Sequence, residues 1–162
     1  MEKKVKYNCI QTLKKTGAPV IIVSLPEEAE AIINACHDNG IVVAGVSDNE
    51  SRKYNGYYCG FEVIHTPSLP KRFPKARLII AYHNIEDCVD QLSALGYDEF
   101  YSPLELLKNY DVSKHKHRLT QSYIQNKILI NMRSHELYFD ERMYNLIDSV
   151  NQHHLRQNPQ EQ

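Results

Sequence analysis

The chain has 162 residues, 42% of them hydrophobic, and sets 19 Lys+Arg against 20 Asp+Glu for a formal charge of −1. That is enough for one packed core plus an extension without disulfide or metal staples. Near-neutrality argues against a nucleic-acid binder, and no apolar run nears the ~18–20 residues of a membrane span.

The opening, MEKKVKYNCIQ, is basic but has no apolar stretch behind it, which argues against a secretory signal and for a cytoplasmic protein. Gly17-Ala18-Pro19 introduces the first apolar run, Val20 to Leu25, rich in β-branched residues and apolar on both faces. Such a run predicts a central parallel strand covered on both faces. Pro26 suits a first helical position, Glu27 and Glu28 suit a first turn, and Ala29, Ile32, Ile33 and Cys36 form one helical face. Asn39-Gly40 predicts the helix end. The run Ile41 to Val46 predicts a second strand beside the first and parallel to it, stopping at Ser47-Asp48-Asn49.

A turn at Tyr54-Asn55-Gly56-Tyr57 leads to a short strand, Phe61 to Ile64, and then to a loop punctuated by Pro67, Pro70 and Pro74. Leu78 to Tyr82 reads as a third strong strand. Ile85, Val89, Leu92 and Leu95 mark a helix closed by Gly96. Glu99 to Tyr101 is a short strand, and Ser102-Pro103 opens a helix from Leu104 to Tyr110. Repeated alternation of strand and helix predicts an α/β fold: a Rossmann-like parallel sheet of about five strands with flanking helices. This unit spans 1–112.

From 113 to 155 the β-branched runs disappear. Leu119, Tyr123, Ile124, Ile128 and Met132 form one apolar stripe, and Phe139, Met143, Leu146, Ile147 and Val150 form another. A break near Arg133-Ser134-His135 would make a C-terminal helical hairpin, with a frayed polar tail over 156–162. A lone hairpin buries too little to stand by itself. Residues 113–155 are therefore expected to dock, through a homodimer or onto a separate catalytic chain.

Several segments together carry a family resemblance: VIIVS, IVVAGVSDN, the hairpin YNGYYCGFEVI, ARLIIAYHN, ALGYDEF and YSPLELL. From Ala18 to about Tyr110 the chain resembles the small Rossmann-like nucleotide-binding domain of bacterial surface-polysaccharide enzymes. These include FkbM-type methyltransferases, radical-SAM proteins and hexapeptide-repeat sugar O-acyltransferases. The resemblance implies an accessory domain that holds a nucleotide or nucleotide-sugar while chemistry happens elsewhere.

Candidate ligand residues are Ser24, Asp48, Asn49 and His83. Asp48 ends the second strand, where a Rossmann domain places the carboxylate that bonds ribose hydroxyls; it also suits a simple turn cap, and Ser47 and Asn49 share that ambiguity. His83 follows the third strand at the ligand-binding sheet edge, as stacking partner or acid–base group, or else lines a loop while Asn84 caps a helix. The first turn, Ser24-Leu25-Pro26-Glu27-Glu28, departs from the family pattern. It has no glycine, one amide donor fewer at Pro26, and negative charge where a pyrophosphate would lie.

No metal site is expected, since His115, His117, His153 and His154 lack convergent ligands. The basic run Lys114 to Arg118 reads as a solvated linker, and the four dispersed cysteines as reduced, mostly buried thiols. No catalytic pair can be placed, so no cofactor is certain and no complete enzyme is indicated. Three readings stand: a ligand-binding accessory domain, a degenerate Rossmann domain for protein association, and a small transferase.

Overall fold

The computed structural model describes residues 5–6, 9–82, 84–115 and 120–134. In chain order these form β1 (Val5–Lys6), α1 (Cys9–Lys14), β2 (Val20–Val23), α2 (Ala29–Asp38) and β3 (Val43–Asp48). There follow β4 (Tyr57–Tyr58), β5 (Phe61–His65), α3 (Leu69–Arg72), β6 (Arg77–Ile80), α4 (Ile85–Ala94), β7 (Phe100–Tyr101), α5 (Leu104–Lys108) and α6 (Gln121–Ser134).

The strands form one sheet in the order β1-β7-β6-β2-β3-β5-β4. Every pairing is parallel except β4 with β5, a hairpin. The runs expected as adjacent parallel strands, from Val20 and from Ile41, pair as β2 and β3 at the sheet centre. The strand count is seven rather than about five. The two additions, β1 and β4, are two-residue edge strands, too short to show any periodicity.

Alternation along the strands divides the core into two layers. Val20 and Ile22 of β2 join Ile79 and Tyr101 against α1, α2, α5 and α6. Ile21 and Val23 join Leu78, Ile80 and Phe100 against α3 and α4. The helix α2 begins at Ala29 rather than at Pro26, because a turn comes first: the Ala29 amide donates to the Pro26 carbonyl at 2.9 Å. Its end is a Schellman closure. Gly40, at φ 74°, lets its own amide reach the His37 carbonyl (3.1 Å) and the Ile41 amide reach that of Cys36 (2.9 Å). The thiols of Cys9, Cys36 and Cys88 are buried, Cys59 is exposed, and burial pushes Cys36 and Cys88 up to about 12.

Two contacts hold the short edge strand β1. The Glu99 carboxylate accepts from Lys6 Nζ at 3.0 Å and meets the Arg77 guanidinium at 2.8 Å, joining β1 to β6. Lys6 also gives its carbonyl to the Ser102 amide at 2.9 Å.

Of the expected hairpin, α6 covers the first stripe. Ile124 is fully buried in the same core layer as α2 and α5, and the Gln121 side chain bonds both the Val112 amide and the Tyr110 carbonyl. Leu119, and the second stripe of Phe139, Met143, Leu146, Ile147 and Val150, lie outside the described residues. The start of the helical extension is thus packed on its own α/β unit. Ile124→Ala should cost about 2–4 kcal/mol in urea denaturation, the usual loss for truncating a fully buried aliphatic side chain. A change below about 0.5 kcal/mol would mean that α6 is not docked in solution.

Candidate functional site

The chain moves from β2 outward to β3 and β5, then returns to lay β6 on the other side of β2. The helix layer changes with it, from α2 on one face to α3 and α4 on the other. Beyond the carboxyl ends of β2 and β6 the departing loops separate, leaving the crevice where open α/β sheets take ligands. A cleft of ≈ 420 Å³ lies there, lined among others by Ser24, Leu25, Asp48, Asn49, Lys53 and Tyr82.

β2 stops because Ser24 takes a left-handed backbone, φ 74°. For a residue with a Cβ that conformation costs about 1–2 kcal/mol. It turns the chain sharply out of the sheet while the Ser24 amide still donates to the Ser47 carbonyl at 2.8 Å. Ser24 therefore makes the turn that a glycine makes in a Gly-rich first loop.

Asp48, the last residue of β3, holds the next step. Its Oδ2 accepts from the Leu25 amide at 3.0 Å and its Oδ1 from the Glu50 amide at 2.7 Å. One carboxylate thus ties the loop after β2 to the loop after β3. Tyr54 adds to this by donating to the Leu25 carbonyl at 3.2 Å. Each Asp48 oxygen keeps a second lone pair, and the side chain is half-buried, so it can still accept from a hydroxyl in the cleft. Asn49 exchanges two hydrogen bonds with Gln91 of α4, at 3.0 and 2.8 Å, closing one wall.

Three of the four sequence candidates, Ser24, Asp48 and Asn49, therefore border one cleft. His83 lies outside the described residues. Its neighbour Asn84 caps α4, accepting from the Asp87 amide at 3.3 Å. Sequence reasoning did not single out Glu50, Lys53 or Tyr82 for the site. Tyr82 read as strand, but β6 ends at Ile80 and leaves this residue 38% exposed on the lining of the cleft.

A second cavity, ≈ 680 Å³, shares Leu25 and Pro26 with the first and extends to Tyr58 of β4 and Tyr123 of α6. Glu27 and Glu30 line it, and Tyr123 donates to Glu27 at 2.8 Å. Burial, then hydrogen bonding to Glu27, raises the Tyr123 phenol above its ordinary pKa, so it stays a donor. This places carboxylates around the first turn of α2, where a phosphate would otherwise meet helix amides. Among the described residues no cluster of His, Cys, Asp and Glu can hold a metal ion. His115 instead pairs with Asp38 at 2.7 Å and stacks on Tyr110, and His117, His153 and His154 lie outside the described residues.

The groups that the cleft presents are acceptor lone pairs at Asp48, an aromatic ring at Tyr82 and an ammonium at Lys53 that Glu50 meets at 3.0 Å. Asp48→Asn should destabilise the fold by about 1–3 kcal/mol in chemical denaturation, since a carboxamide offers one acceptor oxygen where two amides now bond. Unchanged stability would show that the two loops do not depend on the bridge. Comparison with protein-family models, with curated proteins and with solved structures found no match for this chain.

Proposed function

We propose that the chain is an accessory Rossmann-like domain that binds a nucleotide or nucleotide-sugar, as part of carbohydrate or surface-polymer biosynthesis. The observation that carries the reading is the cleft at the β2/β6 switch point, with the Asp48 carboxylate on its wall. A ribose diol placed over Asp48 would use the lone pairs that the two backbone amides leave free, and Tyr82 offers a flat apolar surface for a base or sugar ring. The resemblance to the domain of surface-polysaccharide enzymes supplies the biological setting.

Isothermal titration with uridine and adenosine nucleotides and with nucleotide-sugars tests this. Binding is expected for at least one of them, weakened by ~1–3 kcal/mol in Asp48→Ala, whose fold is verified separately by denaturation. No binding at millimolar concentration by any of these ligands, or equal affinity in the variant, would overturn it.

A second reading, association through residues 113–155, is favoured by the state of the crevice itself. Both Asp48 oxygens are already engaged, no glycine opens the first turn, and carboxylates surround it. In that reading the domain serves as a homodimer or as the partner of a separate catalytic chain. Sedimentation equilibrium at tens of micromolar should then give a dimer for the full chain and a monomer for residues 1–134. A monomeric full chain would exclude the homodimer.

A further inference from the structure

Of the three arginines whose side chains are described, Arg72 is paired with Glu62 and Arg77 with Glu99, while Arg52 makes no hydrogen bond or ion pair. It sits in the short helical turn Ser51–Tyr54 that follows β3. That turn borders a cavity of ≈ 640 Å³ whose other lining groups include Lys53 and His65, the last residue of β5. His65 likewise has no partner among the described residues. One carboxylate lies in the same wall, Glu50, and Lys53 Nζ already meets it at 3.0 Å. The charge left over in this cavity is therefore the guanidinium of Arg52, with the imidazole of His65 beside it.

The cavity adjoins the Asp48 cleft, since Asn49, Glu50 and Lys53 line both. Leu25 and Pro26 line both that cleft and the larger cavity, where Glu27 in the turn before α2 and Glu30 in its first turn lie, and Pro26 has no amide to donate. An anionic group on a ligand in the cleft is thus repelled from the α2 side and attracted to the β3–β5 side. The geometry points to a phosphate subsite at Arg52, Lys53 and His65, so that the ligand is a ribose phosphomonoester with its hydroxyls on Asp48 and its phosphate beyond β3. This rests on the nucleotide reading above and adds to it where the charge of the ligand lies. A planar guanidinium without a competing partner gives two parallel donors to phosphate oxygens. Lys53, whose charge Glu50 already offsets, adds only a further N–H donor. The phosphate on the 5′ or on the 3′ carbon satisfies the same chemistry.

The test compares adenosine and uridine with their 5′- and 3′-monophosphates, and adds inorganic phosphate as a separate probe against a sodium chloride control of equal ionic strength. A monophosphate is expected to bind about tenfold or more tightly than its nucleoside, the gain from one charged hydrogen-bonded contact. Arg52→Ala, at an exposed residue without partners, should abolish that gain and leave nucleoside affinity unchanged. The isomer that shows the larger gain identifies the phosphate position. Inorganic phosphate should shift the Arg52 Nε and His65 ring resonances in NMR spectra beyond the chloride control. A phosphate gain that survives in Arg52→Ala, or nucleosides binding as tightly as their phosphates, would overturn the subsite. So would an absence of shifts at Arg52 and His65 with every phosphate probe. Shifts with inorganic phosphate but no binding of any nucleoside or nucleotide would retain the anion subsite and sink the nucleotide reading instead.

Discussion

Val20, Ile21, Ile22 and Val23 have water on neither side, and each is at most 2% exposed. Successive residues of a strand point to opposite faces, so this segment is stable only with helices packed above and below it. Each such side chain contributes ~1.5–3 kcal/mol when fully removed from water, and that requirement organises the rest of the chain. The helix that follows β2 covers one face; the other must be covered by helices that the chain reaches only after turning back across the sheet. The return places β6 beside β2 and opens the crevice between their carboxyl ends. The cleft is a consequence of two-sided burial before it is a site for anything.

The way the crevice is finished departs from the usual solution. A Gly-rich loop leaves bare backbone at the first turn; here Ser24 accepts a left-handed conformation and Leu25 follows with its amide bonded to Asp48. Backbone strain persists only where surrounding contacts hold it, and these are one backbone bond from Ser24 to Ser47, the Asp48 carboxylate on the Leu25 amide and a tyrosine hydroxyl on the Leu25 carbonyl. The carboxylate that would greet a ligand is also the brace of the two loops that form its pocket. Any ligand contact made there would be coupled to loop stability through one side chain, so a substitution at Asp48 would change both together.

Charge is distributed unevenly around the same edge. Glu27 and Glu30 lie near the start of α2, whereas Arg52, Lys53 and His65 lie beyond β3 and β5. The chain as a whole is almost neutral, at −1, so net charge hides this separation. Field direction at a cleft depends on the nearest groups, because salt screens more distant ones within about 8–10 Å.

The sequence by itself determined the five principal strands, their parallel sense and the helices between them. These follow from local hydrophobic patterning: β-branched runs at Val20, Ile41 and Leu78, and helix-spaced apolar residues closed by Gly40 and Gly96. It also marked Ser24, Asp48 and Asn49 as edge residues, because strand ends are legible where apolar runs stop. What only the tertiary structure decided involves partners distant along the chain. β1 and β4 exist because edges pair with neighbours, through two residues each that carry no periodic signal. Helix α2 starts at Ala29 because a turn precedes it, a conformation that Pro26 and its two following glutamates do not specify. Tyr82 faces the cleft because β6 stops two residues before it. That Asp48 braces Leu25, 23 residues away, depends on β2 and β3 lying side by side, and a pattern in one segment cannot say what the adjoining strand will present to it.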